Sequence, residues 1–130
     1  MTIFSRIIAG EIPSYKIAET EKLFAFLDIS PVQYGHTLVV PKIEVDKIFD
    51  VPDEYLSELL VFAKPIAKAI ERSFPCNRVN ILTVGLEVPH AHVHLIPIRR
   101  TEDINIQNKK LKLTPEQFKE IQEKIIANMV

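Results

Sequence analysis

Apolar positions along the chain follow two periods, one typical of strands and one typical of helices. Five short stretches carry the β-branched, aromatic and aliphatic residues favoured in strands, and most of them are bounded by charged or turn-forming residues. The predicted strands are Ser14–Ala18, Leu23–Leu27, Thr37–Val40, Arg78–Val84 and His92–Ile98. Apolar residues at helical spacing predict a short helix that ends near Gly10 and two longer helices further on.

The two longer helices carry start signals. The first is expected to begin at Pro52, because proline suits the first helical position and acidic residues follow it. The second is expected after Thr114, with Pro115 in its first turn and Gln117 completing a capping box. These elements predict an α+β fold with an antiparallel sheet of about five strands, one long helix, a short N-terminal helix and a C-terminal helix.

Composition narrows the function classes. The chain has 130 residues, of which 47% are apolar and 25% are charged, so one domain with a single core is expected. Its 16 basic and 17 acidic side chains leave a net charge of −1. That balance gives little support for a nucleic-acid or membrane partner, and we expect neither.

Glycine and cysteine usage constrain the chemistry and the compartment. Gly10, Gly35 and Gly85 stand alone, so no glycine-rich phosphate loop is encoded. The single cysteine, Cys76, cannot form an internal disulfide, and the longest purely apolar run, Leu59–Ala63, is too short to span a bilayer. A cytoplasmic protein is the expectation.

Three of the four histidines stand at alternate positions, His90, His92 and His94. In a strand such residues share one face, and the apolar residues between them point to the other. Three readings are open: neutral buried imidazoles, a zinc site with Asp28 or Glu87 as helper, and metal-free phosphoryl transfer with imidazole as nucleophile. The last needs no glycine-rich loop, since imidazoles and backbone N–H groups can hold a phosphate.

The run His90-Ala91-His92-Val93-His94-Leu95-Ile96-Pro97 resembles the signature of the histidine triad (HIT) family of nucleotide hydrolases and transferases. Three upstream segments, residues 3–13, 24–31 and 35–42, resemble other parts of that family in the same order. The resemblance covers roughly residues 1–100 and implies a HIT-like fold.

The resemblance implies catalytic roles for all four histidines. His92 would attack the α-phosphate of a nucleotide conjugate and form a covalent nucleotidyl intermediate, which water or another acceptor would then resolve. The backbone carbonyl near His90 would hold His92 Nδ1–H and aim Nε2 at phosphorus. His94 would donate to the phosphate or leaving group, and His36 would support His90.

The resemblance also implies a nucleotide site. Asp28 would bind the ribose hydroxyls, and an apolar pocket would hold the purine. The implied pocket residues are Ile3, Phe4, Ile7, Phe26 and Ile29. Asn80, Gly85 and Glu87 would lie at the phosphate and leaving-group end. Here the chain departs from the family, since Leu82 and Leu86 stand where many members have glycine and glutamine.

Further expectations follow for assembly and metal content. The resemblance implies a homodimer with the long helix and the Arg78–Val84 strand at its interface. We expect a HIT domain at residues 1–108 and a C-terminal helical extension at residues 109–130. Some members bind zinc through cysteines in the first helix, but Thr2 and Ser5 stand in those places, so no metal or cofactor is expected.

The leading hypothesis is therefore a nucleotidyl hydrolase. It would cleave a purine nucleoside 5′-monophosphate conjugate of the phosphoramidate type, and a dinucleoside polyphosphate is the alternative substrate. A nucleotide-binding or scaffolding module with little activity is the hypothesis that Leu82 and Leu86 suggest. A tri-histidine metalloenzyme is the third.

Overall fold

The computed structural model describes residues 1–129 as a five-stranded antiparallel sheet with helices on both faces. The strands are β1 (Lys16–Glu19), β2 (Leu23–Leu27), β3 (Thr37–Pro41), β4 (Arg78–Leu82) and β5 (Val93–Ile98). Their order across the sheet is β1-β2-β3-β5-β4. The helices are α1 (Ile3–Ile8), α2 (Asp53–Ser73) and α3 (Pro115–Ala127), with 3₁₀ turns at Ile48–Asp50 and Thr101–Ile104. The predicted α+β fold is confirmed.

One face of the sheet, which we call the helix face, packs under α2 and α3. Its core is a cluster of apolar residues from β1, β2, β3, β5, α2 and α3. They include Leu23, Val39, Val93, Leu95, Ile66, Ile70, Ile121 and Ile125. Burial of this many aliphatic side chains is the main source of stability that the structure offers.

The opposite face, which we call the site face, packs under the short helix α1. Side chains at the alternate positions of β2 and β3 join Phe4 of α1 there, and they are Phe24, Phe26, Leu38 and Val40. Because both faces are covered, every residue of β2 and β3 is buried. The site face is thus aromatic and shallow where the helix face is aliphatic and deep.

Four strands differ in extent from their predictions: β3 also includes Pro41, and β5 begins at Val93 rather than His92. The first strand was expected at Ser14–Ala18 but is Lys16–Glu19, because its pairing with β2 runs from Lys16 to Glu19. The strand expected at Arg78–Val84 ends at Leu82, the last residue paired with β5. Beyond it the chain turns away through Gly85, whose φ of +73° favours glycine.

The long helix begins one residue later than expected. Pro52 is the N-cap rather than the first helical residue, and α2 continues through Pro65 to Ser73. The α3 capping box is confirmed: Gln117 N–H donates to Thr114 Oγ1 at 3.1 Å, and Thr114 N–H donates to Gln117 Oε1 at 2.8 Å. Within residues 1–129, no helix has the length and apolar character needed to cross a membrane.

Candidate active site

All four histidines gather on the site face beside a cavity of about 340 Å³. Three of them line it, and α1, the ends of β2 and β3, the β4–β5 connection and a segment before α3 complete the walls. A more open cleft of about 740 Å³ lies elsewhere, between Tyr34, Phe74 and Arg99. That cleft contains no histidine, so the smaller cavity is the one where chemistry is expected.

Only one histidine of the triad lies within a strand. The strand expected from His92 begins at Val93, so His90 and His92 precede β5 and His94 alone belongs to it. The ladder cannot start earlier because the backbone groups there have other partners. Ala91 N–H donates to the Val45 carbonyl at 2.7 Å, and the carbonyl of His90 accepts from a side chain.

His92 is held as a neutral imidazole with one nitrogen free for chemistry. Its Nδ1 lies 2.8 Å from the His90 carbonyl oxygen, which can only accept, so Nδ1 carries the proton. The lone pair is then on Nε2, in a ring that lines the cavity. Burial lowers the pKa of His92. The ring of Phe4 packs edge-on against it, with centroids 4.9 Å apart.

A backbone amide sets the tautomers of the other two site histidines. Val32 N–H donates to His36 Nδ1 at 3.1 Å, so the proton of His36 is on Nε2. That proton is donated to His94 Nδ1 at 2.9 Å, which leaves Nε2–H on His94. His36 therefore contacts His94 rather than supporting His90 as expected. Burial lowers the pKa of His36 to about 3 and that of His94 to about 4.

Asp28 is the carboxylate of the cavity. Its Oδ2 lies 3.5 Å from His36 Nε2, and its Oδ1 accepts from Ser30 N–H at 2.8 Å. Because His36 is neutral near pH 7, the first contact is a polar contact and not an ion pair. Burial raises the pKa of Asp28. The Ser30 bond also makes Asp28 a turn residue, so it serves both the backbone and the cavity.

Asp28, His36 and His94 are the one group within residues 1–129 whose donor atoms lie close enough for a metal, all within 4.8 Å. Their hydrogen bonds do not fit that role. Both nitrogens of His36 and Nδ1 of His94 are already engaged. A metal on His36 Nε2 would displace its proton while Nδ1 still faces an N–H donor. The donor set suits a hydrogen-bonded pair and not a divalent cation.

The residues expected to bind nucleotide divide into two groups. The cavity is lined by Ile3, Phe4, Asp28, Gly85 and Glu87. Outside its lining are Ile7, Phe26, Ile29 and Asn80. Ile7 and Phe26 belong to the apolar cluster behind Phe4, and Ile29 is 67% exposed. The buried Nδ2 of Asn80 has no hydrogen-bond partner in the part of the chain described.

Sequence reasoning missed a whole wall of the cavity. Ile106, Gln107 and Lys110 line it from the segment before α3, which Leu111 N–H ties to the Pro31 carbonyl at 2.8 Å. Their approach depends on a contact between distant parts of the chain, so no local pattern predicts it. Sequence reasoning also missed the contact of Thr2, whose Oγ1 lies 2.8 Å from His90 Nδ1.

Comparisons with known proteins agree with this architecture. The HIT domain family matches residues 9–101. The adenosine 5′-monophosphoramidase HNT1 of Saccharomyces cerevisiae is 43% identical over 102 residues, which are 75% of this chain and 62% of the yeast protein. The adenosine 5′-monophosphoramidase hnt1 of Schizosaccharomyces pombe is 34% identical over 98% of this chain and 97% of its own length.

Solved structures agree as well. A crystal structure of a Hit-like protein involved in cell-cycle regulation, from Bartonella henselae, superposes with a TM-score of 0.83. That protein is 30% identical to this one, and the match covers 98% of this chain and 95% of the other. The chain belongs to the HIT domain family.

Proposed function

We propose that the protein is a nucleotidyl hydrolase that cleaves a purine nucleoside 5′-monophosphate conjugate, of the phosphoramidate type, at the α-phosphate. One observation carries the proposal: the bond from His92 Nδ1 to the His90 carbonyl, 2.8 Å long, leaves Nε2 of a neutral ring as the available nucleophile. Two relatives named adenosine 5′-monophosphoramidase support the substrate class.

In the first step, His92 Nε2 forms a bond to phosphorus and the P–N bond to the leaving group breaks. The positive charge that develops on the ring is stabilised at Nδ1–H by the His90 carbonyl. The leaving nitrogen takes a proton from solvent and departs as an amine. His94 stays neutral, because burial lowers its pKa to about 4, and its Nε2–H donates to a phosphate oxygen.

In the second step, water attacks the same phosphorus and the bond to His92 breaks. That water releases its proton to solvent, and the nucleoside monophosphate leaves. His36 keeps His94 Nε2–H directed at the phosphate in both steps, because His36 Nε2–H donates to His94 Nδ1 throughout. The cycle returns each imidazole to its starting tautomer.

Asp28 and the α1 side of the cavity supply nucleoside recognition in this proposal. A carboxylate can accept from both ribose hydroxyls, and Asp28 lines the cavity 3.5 Å from the His36 ring. Ile3 and Phe4 offer the apolar surface for the purine. The unpartnered Asn80 amide lies on the face of the sheet that carries His94, since Leu82 pairs with His94 across β4 and β5.

Two observations favour second candidates. Lys110 adds a cation to the cavity wall, which favours a dinucleoside polyphosphate as the alternative substrate. Leu86 is 89% exposed at the cavity, where an apolar side chain cannot assist a leaving group, and this favours a nucleotide-binding module with little activity. The phosphoramidate hydrolase, the dinucleoside polyphosphate hydrolase and the binding module are expected to give different results in one assay of adduct formation and turnover.

We also propose that the partner is a second copy of the chain. β4 is an edge strand with open hydrogen-bonding groups, and its Ile81 is 43% exposed. Leu60 and Val61 on α2 are 64% and 74% exposed and extend this apolar surface. Light scattering is expected to give twice the chain mass of 14.9 kDa. A monomeric mass at micromolar concentration would contradict the proposal.

The central experiment is intact-protein mass spectrometry after brief exposure to adenosine 5′-phosphoramidate, together with a turnover assay. An adduct of one adenylyl group is expected, mapping to the peptide of His92 and labile in acid, as a phosphorus–nitrogen bond is. His92→Ala is expected to remove the adduct and lower kcat by about 10⁴-fold while AMP binding persists.

The outcomes separate the candidates. An adduct with diadenosine polyphosphate alone favours the alternative substrate. AMP binding without turnover of any conjugate favours the binding module. Normal turnover by purified His92→Ala would overturn the covalent mechanism.

A further inference from the structure

A chain of hydroxyl groups runs from an exposed carboxylate to the first histidine of the triad. Ser5 Oγ–H donates to Glu44 Oε1 at 2.5 Å, and Thr2 N–H donates to the same oxygen at 3.0 Å. Thr2 Oγ1 lies 3.1 Å from Ser5 Oγ and 2.8 Å from His90 Nδ1. Glu44 and Ser5 thus connect to His90 through one threonine hydroxyl.

Proton positions along this chain follow from the acceptors at its ends. His90 Nε2 lies 2.9 Å from the Pro41 carbonyl, so Nε2 carries a proton. In the neutral ring Nδ1 is then an acceptor, and Thr2 O–H must donate to it. Thr2 Oγ1 in turn accepts from Ser5 N–H at 3.0 Å, and the Ser5 hydroxyl proton is taken by Glu44. Both hydroxyl protons are used in this arrangement, so Ser5 reaches Thr2 Oγ1 through its main-chain N–H, and the 3.1 Å contact between the two hydroxyl oxygens carries no proton.

The arrangement reaches the reacting centre through the backbone. The carbonyl that holds His92 Nδ1–H belongs to His90, whose ring is fixed at both nitrogens. The same short helix also places Phe4 against the rings of His90 and His92, with centroids 5.7 and 4.9 Å away. A shift of the His90 ring would therefore move the carbonyl that aims the nucleophile.

We propose that Thr2 and Glu44 are positioning residues: with Ser5 they fix the tautomer and orientation of the His90 ring, and through its carbonyl they aim His92 Nε2. The Ser5 and Thr2 bonds to Glu44 lower the pKa of that carboxyl, so it remains an acceptor at neutral pH. The expected effect of these residues on kcat rests on the proposed function, whereas their effect on the tautomer of His90 does not.

Thr2 is also the N-cap of α1, so the test must separate capping from positioning. Thr2→Val removes the hydroxyl at nearly constant shape, and Thr2→Ser retains it. Ser5→Ala removes the hydroxyl bond to Glu44 but keeps the Thr2 N–H bond to Glu44 and the helix cap, because both of these use main-chain N–H groups. Glu44→Ala removes the acceptor at the end of the hydrogen-bond chain. Its matched control is Asp46→Ala, which removes a nearby exposed carboxylate that makes none of these hydrogen bonds.

The first readout is the ¹⁵N chemical shift of the His90 and His92 ring nitrogens in the full-length protein. In the unaltered protein, His90 is expected as the Nε2–H tautomer with a hydrogen-bonded Nδ1. Thr2→Val is expected to move the Nδ1 shift of His90 towards that of a free acceptor, and Thr2→Ser to leave it in place. This readout needs no substrate.

The second readout is the split between kcat and KM for adenosine 5′-phosphoramidate. Thr2→Val is expected to lower kcat about tenfold with KM changed less than about twofold, as for one lost positioning hydrogen bond. Ser5→Ala and Glu44→Ala are expected to lower kcat about threefold, and Thr2→Ser and Asp46→Ala to stay within about twofold.

Unchanged ¹⁵N chemical shifts of the His90 ring in Thr2→Val would overturn the proposal. A Thr2→Val protein that loses thermal stability but retains its kcat would also overturn it. Should Thr2→Val fail to fold, Ser5→Ala and Glu44→Ala decide by the same criteria. Should the unaltered protein turn over no phosphoramidate, the proposed function fails, and the ring-nitrogen shifts alone decide whether Thr2 positions His90.

Discussion

The two faces of the sheet are built by the same strands and bury different chemistry. Along β5, Val93 and Leu95 point to the helix face and belong to its apolar cluster. His94 between them points to the site face, opposite Leu38 of β3. Strand alternation thus separates the residues that stabilise the fold from those that carry the chemistry, and the two sets can be perturbed independently.

A mutation that creates a cavity in the helix-face core tests that separation, and it has the largest expected effect on stability. Ile66 of α2 is fully buried in the helix-face cluster. Ile66→Ala is expected to lower the free energy of unfolding by about 2–5 kcal/mol, from lost burial and the cavity left behind. The folded fraction is expected to keep its kcat, since no cavity-lining residue moves.

Urea unfolding and turnover at a temperature where the variant is folded would measure both quantities. Lys64→Ala, an exposed position on the same helix, is the control and is expected to change stability by less than about 0.5 kcal/mol. A large fall in kcat for folded Ile66→Ala would show that the two faces are coupled.

Between pH 6.5 and 4, acid is expected to act mainly on the site face, because it holds all four histidines. His36 and His94 have pKa values of about 3 and about 4 in the folded protein, against 6.5 in a model peptide. Between those values the unfolded chain binds more protons, so the free energy of unfolding falls as pH falls from about 6.5 towards 4. Each histidine contributes a slope of up to about 1.4 kcal/mol per pH unit.

Asp28 offsets part of this slope, since its raised pKa makes the folded state take up a proton earlier. Denaturant titrations at several pH values would give the slope, and proton NMR of the ring Cε1–H signals would give each pKa. A His36 signal that titrates near 6.5 in the folded protein would contradict the buried neutral pair.

The smallest expected effect lies at the outer wall of the site face. Lys110 lines the cavity, and its Nζ donates to the Ile106 carbonyl. Lys110→Ala is expected to weaken AMP binding about two- to fivefold at low ionic strength, with little difference at high salt, because an exposed charge is screened. Calorimetry would measure it.

Lys112→Ala is the matched control, since Lys112 is exposed and does not line the cavity. Equal weakening in both variants would assign the effect to net charge rather than to the position of Lys110.

Local patterns were enough for most of the fold. The strand Leu23–Leu27 and the α3 capping box depend on neighbouring residues, and both agree with the structure. The predicted strand bounds are wrong where pairing with a distant part of the chain sets the end of the strand. The extent of β1 is set by its pairing with β2, and the His92 carbonyl, which lies just before β5, accepts from the Thr83 hydroxyl.

The sequence predicted most of the residues of the candidate site, but it did not predict which of them contact one another. Alternate histidines in one strand-like run are visible in sequence, and the family resemblance named His36 and Asp28. The partner of His36 was not visible, because it depends on the register of β3 against β5, which places Leu38 opposite His94. Thr2 and Lys110 reach the site through contacts that span most of the chain.

The bond between Leu111 N–H and the Pro31 carbonyl has a consequence for how this scaffold can diversify. Residues 105–110 lie beyond the segment that matches the family, yet they close one wall of the cavity. Replacing that stretch, with the anchor kept, would exchange what the cavity admits while both cores stay intact. None of these residues is buried, so this wall of the cavity can vary in sequence without loss of either core.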